Sequence, residues 1–88
     1  MLKPVYERSL EKDVKLAKKR GLDIGKLKAV MTDLINEKIL AEKYRNHKLK
    51  GNFVGYWECH ITPDWLLLYK KDTEVIYFAR TGTHSDLF

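Results

Sequence analysis

An α+β domain of order β-α-α-β-β-β, with a small antiparallel sheet packed against two N-terminal helices, is the architecture that these 88 residues predict. Apolar residues recur at helical spacing only between positions 9 and 35, and β-rich apolar segments separated by turn chemistry occupy positions 53 to 79. No repeat or low-complexity stretch interrupts the chain. A chain of this size cannot divide its apolar residues between two cores, so residues 1–88 are read as one domain.

Leu2 to Tyr6 (LKPVY) is short and apolar enough for an edge strand, where Pro4 need not donate to a ladder. Ser9 stands where a cap is needed for the next stretch, in which Leu10, Val14 and Ala17 share one face. Lys12, Lys15, Lys18 and Lys19 fill its other positions, and Gly21 stops it. Asp23 caps a second amphipathic helix whose apolar face reads Ile24, Leu27, Met31, Leu34 and Ile35. From Glu37 to Gly51 the periodicity is lost, which predicts an exposed loop holding the basic run Tyr44-Arg45-Asn46-His47-Lys48-Leu49-Lys50. Three strands follow: Phe53 to Ile61, Trp65 to Lys70 and Glu74 to Ala79. Thr62-Pro63-Asp64 and Lys71-Asp72-Thr73 join them, so a meander is expected. The middle strand is apolar throughout Trp65-Leu66-Leu67-Leu68-Tyr69, the pattern of a central strand covered on both faces.

A composition of 44% hydrophobic and 33% charged residues, with two prolines and five glycines, lies outside the disordered and collagen-like classes. Cys59 has no partner for an internal disulfide, which points to a reducing, cytoplasmic setting. No signal-type apolar block and no run near twenty apolar residues is present, so no membrane partner is expected. Charge is unevenly spread: residues 1–50 carry 14 Lys and Arg against 7 Asp and Glu, while residues 51–88 carry 3 against 5. The basic half suits a polyanion bound with a steep salt dependence, although a solvated lysine face accounts for the same charge.

All three histidines fall outside the helices: His47 in the loop, His60 near a strand end and His84 in the tail. Period-two alternation puts Tyr56, Glu58 and His60 on one side of their strand, and that side is the polar one. The end of this strand, the turn at Asp64 and the segment Arg80 to His84 converge if the chain folds back over one face. RNA strand cleavage needs a base for the 2′-hydroxyl proton, an acid for the departing 5′-oxygen and cations for the developing phosphorane charge. Imidazole suits both proton transfers because its unperturbed pKa lies near about 6.5. Arg80 offers a bidentate grip on phosphate, Lys48 and Lys50 add charge, and Trp65, Tyr44, Phe53 and Phe88 offer faces for exposed bases. Structural readings compete at each position: a hydrogen-bonded strand histidine at His60, an exposed tail histidine at His84, a turn former at Asp64, packing aromatics at Trp65 and Phe88. His60, Asp64 and His84 as zinc ligands lack any HExxH, CxxC or Cys/His array, so neither metal nor cofactor is expected.

Four blocks carry a family resemblance: Asp13-Val14-Lys15-Leu16-Ala17-Lys18-Lys19-Arg20, His47-Lys48-Leu49-Lys50-Gly51, His60-Ile61-Thr62-Pro63-Asp64-Trp65-Leu66-Leu67-Leu68-Tyr69-Lys70, and Arg80-Thr81-Gly82-Thr83-His84-Ser85-Asp86-Leu87-Phe88. Together they resemble the YafQ branch of the RelE/ParE toxin superfamily over nearly the whole chain. The resemblance implies a type II toxin that cuts messenger RNA in the A site of the 70S ribosome and is held in check by a cognate antitoxin with a largely acidic segment. Operator DNA would be met only through the toxin-antitoxin complex. Catalytic positions carry over to His47, His60, Asp64 and His84, with Arg80 on phosphate and with Trp65 and Phe88 in support. His84 is expected to be the principal proton-transfer residue, partnered by Asp64 or His47, while His60 and Arg80 stabilise the phosphorane. Lys15, Lys18 and Lys19 are expected to grip ribosomal RNA. The alternatives are a ParE-like toxin that acts by binding DNA gyrase, a passive nucleic-acid binder and a ribosome-independent nuclease. The three histidines and Asp64 count against the inhibitors that work by binding alone.

Overall fold

The computed structural model describes residues 1–88, in the order β1 (Lys3–Tyr6), α1 (Arg8–Lys19), α2 (Ile24–Ile35), β2 (His47–Lys48), β3 (Trp57–Thr62), β4 (Trp65–Lys71), β5 (Val75–Gly82) and α3 (His84–Leu87). The strands form one sheet of order β1-β5-β4-β3-β2. The meander β3-β4-β5 is antiparallel as expected. At the far edge β1 lies parallel to β5, from Lys3 opposite Val75 to Tyr6 opposite Phe78, so the sheet is mixed. The helical hairpin makes this possible by carrying the chain from one edge to the other.

The structure differs from the sequence-based expectation at several places, one of them the C-terminal tail, where His84 opens the short helix α3. The loop before the sheet contributes a two-residue strand, β2, which pairs with Glu58 and Trp57 of β3. β3 starts at Trp57 rather than Phe53, because Gly51–Phe53 forms a 3-10 turn and Gly55 takes φ +93, a conformation that breaks an extended run.

Both faces of β4 are covered. Leu67 and Tyr69 join Leu10, Leu27, Val30 and Leu34 of the helices in the main core. On the opposite face Leu66 and Leu68 pack with Leu87 of α3, and Leu49 and Phe53 close over them. Asp23 caps α2 as expected, its carboxylate accepting from Gly25 N–H at 2.9 Å. Ser9 does not cap α1; Glu7 occupies that place, and Ser9 Oγ donates to the Ala79 carbonyl at 2.7 Å. The reason lies in the sheet. Pairing between β1 and β5 ends at Phe78, and α1 covers the edge beyond it, with Asp13 Oδ2 accepting from Thr81 N–H at 3.1 Å. β5 therefore runs on to Gly82 instead of ending at Ala79.

Burial pushes the Cys59 thiol up to about 12, with the charge of Glu58 adding to the shift. A thiol reagent at neutral pH should leave the native protein unmodified and label Cys59 only at the rate of unfolding in denaturant. Rapid stoichiometric labelling without denaturant is the contrary outcome. No helix is long and apolar enough to cross a membrane.

Candidate active site

Antiparallel register decides which side chains share a face. His60 lies opposite Leu66 and Glu58 opposite Leu68, so both project from the sheet side away from α1 and α2. β2 adds His47 directly opposite Glu58. A register shift between His60 and Thr62 turns the end of β3 into the Pro63-Asp64 turn. From the other side of β4, α3 brings His84 to that turn.

The contacts are short. His84 Nδ1 lies 2.8 Å from Asp64 Oδ1, and the same oxygen accepts from His84 N–H at 3.3 Å, so one carboxylate fixes both ring and backbone. Asp64 is held below the usual carboxylate range, chiefly by the hydrogen bond from the His84 ring and then by that from its backbone. His60 and His84 rings lie 5.8 Å apart between centroids. Glu58 is buried, and its Oε1 lies 3.2 Å from His60 Nε2 and 3.6 Å from His47 Nε2. His60 Nδ1 faces the Pro63 carbonyl at 3.3 Å, and His47 Nδ1 faces the Arg45 carbonyl at 2.6 Å. Carboxylate and carbonyl oxygens only accept. Both contacts of His60 are therefore hydrogen bonds only when both of its ring nitrogens carry protons. Donor atoms of Glu58, His60 and His84 all lie within 4.8 Å of one another, a spacing at which they could also share a cation.

All four expected catalytic residues thus meet on one face. The accessory residues divide. Phe88 is exposed and sets its ring edge-on to Phe53 at 5.1 Å, at the rim. Lys50 is exposed next to the 3-10 turn. Arg80 lies opposite Leu68, on the same face as Glu58, but closes on Asp13 through Nε at 2.6 Å and Nη2 at 3.3 Å, leaving Nη1 without a protein partner. Trp65 is a correction: it is buried in the main core, and its indole N–H donates to Thr81 Oγ1 at 2.8 Å, so no base can stack on it. Lys48 is a second correction, because alternation turns it to the side opposite His47, where its ammonium lies 5.4 Å from the centre of the Trp57 ring. Lys15, Lys18 and Lys19 are all exposed on α1.

Glu58 is the residue that sequence reasoning placed beside His60 without giving it a part. Its signal is the shared strand side; its burial is a tertiary fact. Thr83 and Asp86 were also missed. They form a reciprocal capping box at the start of α3, detectable as Thr-x-x-Asp, and Arg20 grips Asp86 at 2.6 and 3.2 Å. Gly82 keeps this approach uncrowded, because a Cβ there would lie 3.0 Å from the Asp86 side chain.

The Arg20 hydrogen bond, followed by the Thr83 backbone, holds Asp86 well below the usual carboxylate range. A depressed folded pKa gives stability that is complete above the unfolded value of about 3.9 and lost as pH falls toward the folded one. Asp86→Asn should therefore melt below the parent at pH 7, and the two melting curves should converge as pH falls below about 3. A gap that stays constant with pH would contradict this linkage.

A sequence model of the family described as the bacterial toxin of type II toxin-antitoxin systems, YafQ, matches residues 2–88. The chain belongs to this family. It is 48% identical over 84 residues to the mRNA interferase toxin YafQ of Escherichia coli strain K12, covering 94% of this chain and 91% of that one. The crystal structure of YafQ from E. coli BL21(DE3) superimposes with a TM-score of 0.95 at 43% identity, covering 100% of this chain and 99% of the other. YafQ in the crystal structure of the E. coli DinJ-YafQ toxin-antitoxin complex matches with a TM-score of 0.93 at 45% identity, covering 99% and 97%. These likenesses bear out the α+β, RelE-like architecture and the family resemblance carried by the four sequence blocks.

Proposed function

We propose that this protein is the toxin of a type II toxin-antitoxin pair, a cytoplasmic endoribonuclease that cuts messenger RNA in the ribosomal A site and is neutralised by a cognate antitoxin. The observation that carries the reading is the Asp64–His84 pair set beside the His60–Glu58–His47 group on one open face. Donation of Nδ1–H to Asp64 leaves His84 Nε2 free to take or return a proton. As the 2′-oxygen bonds to phosphorus its proton leaves to a base, the P–O5′ bond breaks, and the 5′-oxygen gains a proton from an acid. His84 acts at one of these steps. His60 and His47 stand beside the phosphorane, and Arg80 stabilises its charge through its unpartnered Nη1. A gyrase inhibitor that works by binding has no use for such a cluster.

The deciding experiment adds purified protein to ribosomes stalled on a defined message and, separately, to the naked message, and maps the new 5′ ends. Cuts at A-site codons on ribosomes alone are expected. Cuts in both samples would indicate a ribosome-independent nuclease, and cuts in neither would reject the reading. Substituting Lys15, Lys18 and Lys19 by Gln should weaken ribosome association and lower its log-log salt slope by roughly 0.7 to 0.9 for each phosphate no longer neutralised. An unchanged slope would return these lysines to a merely solvating role. The antitoxin, rather than this chain alone, would bring the complex to operator DNA.

A further inference from the structure

Beside the histidine cluster lies a basic pocket that neither the acid-base chemistry nor the family assigns. It has a volume of about 640 Å³ and opens where α2, the 3-10 turn Glu42–Tyr44 and the end of β3 meet. Lys26, Lys43 and Arg45 line it, and His60 to Pro63, the end of β3 and the start of its turn, form its edge. That edge is available because β2 covers β3 only at Trp57 and Glu58, leaving the strand from Cys59 onward without a neighbouring strand. No carboxylate lines the pocket, and none of its three cations takes part in an ion pair.

Arg45 links the pocket to the reacting groups. It sits in the left-handed region at φ 46, which non-glycine residues seldom adopt, and this conformation aims its carbonyl at His47 Nδ1. Asn46 is anchored by the Tyr69 hydroxyl at 2.6 Å and Arg45 N–H donates to the Glu42 carbonyl at 2.9 Å, so the backbone on both sides of this bend is held. One residue therefore orients a histidine of the cluster with its main chain and also lines the pocket.

We infer that the Lys26–Lys43–Arg45 pocket is a substrate subsite that holds the backbone phosphate of a nucleotide flanking the scissile one. The inference rests on the nuclease reading above. A polyanion crossing the cluster reaches the pocket past His60, which belongs to both, and three unpaired cations without a competing carboxylate suit phosphate rather than a base or an apolar side chain. An acidic segment of a protein would satisfy the same charges. The shared His60 favours the message, because the RNA strand must pass this residue to be cut.

The test uses the full chain and a triple variant, Lys26→Gln, Lys43→Gln and Arg45→Gln, all at exposed positions. On programmed ribosomes, a message carrying a neutral methylphosphonate at one flanking linkage should raise KM for the parent roughly tenfold with kcat little changed. The variant should show that higher KM on the ordinary message and no further rise on the modified one. An unchanged KM for the variant, or full sensitivity of the variant to the neutral linkage, overturns the subsite. Loss of affinity for an acidic antitoxin-type peptide with KM unchanged would assign the pocket to a protein instead. Binding of a 2′-O-methyl pentaribonucleotide to the isolated proteins separates this failure from failure of the nuclease reading. A salt slope lower by roughly 0.7 in the variant supports the subsite even if the parent cuts nothing, and equal slopes count against it.

Discussion

Replacing His84 by alanine is expected to lower the cleavage rate about 10²- to 10⁴-fold, the usual contribution of a positioned general acid or base. Message and ribosome binding should survive. The His84 side chain is half exposed and its only side-chain partner is Asp64, so its removal opens no cavity. Asp64→Asn offers a graded control, because the amide oxygen still accepts from Nδ1–H while the charge that favours an imidazolium is gone. Its rate should fall between those of the parent and His84→Ala. The measurement is single-turnover cleavage on programmed ribosomes, with binding followed separately. Unaltered cutting by His84→Ala would remove this histidine from the mechanism, and a loss explained wholly by weaker binding would assign it to recognition.

Glu58→Gln is expected to have an effect of similar size by a different route. The carboxylate is buried and faces His60 and His47 together, so the amide keeps the volume but removes the charge opposite both rings. Truncating one partner of a buried, hydrogen-bonded charge pair costs about 2 to 5 kcal/mol. If that loss falls on the transition state, the rate drops about 30- to 5,000-fold. Glu58 acts through the two histidines rather than on the substrate; it is a positioning residue, and its signature should be a displaced pH-rate profile. Glu58→Asp, which restores the charge on a shorter stem, should recover part of the rate. A Glu58→Gln enzyme with the parental profile and rate would show that the two histidines do not depend on it.

Much of the fold was legible in order. The helical spacing of Leu27, Met31 and Leu34 and the unbroken apolar run Trp65 to Tyr69 are local patterns with a single economical burial, and the core follows them. β2 was not legible, since two residues carry no periodicity and form a strand only because Glu58 and Trp57 lie alongside. Nor was the direction of β1: LKPVY reads the same whether its neighbour runs parallel or antiparallel. Ser9 shows the same limit. A serine before an apolar helix looks like a cap, yet the unpaired edge of β5 claimed its hydroxyl.

For the site, residue chemistry and the family pattern named His47, His60, Asp64 and His84, and period-two alternation already placed Glu58 with His60. Those conclusions need only residue types, spacing and resemblance. The tertiary structure alone decided that Trp65 packs inside, that Lys48 turns away, that Arg80 is held by Asp13, and that three cations gather in a pocket behind His60. The physical reason is one of range. Periodicity and turn chemistry act between neighbours a few residues apart, whereas the bonds joining Asp13 to Arg80, Arg20 to Asp86 and Asp64 to His84 close over 67, 66 and 20 residues and exist only once the sheet sets its register.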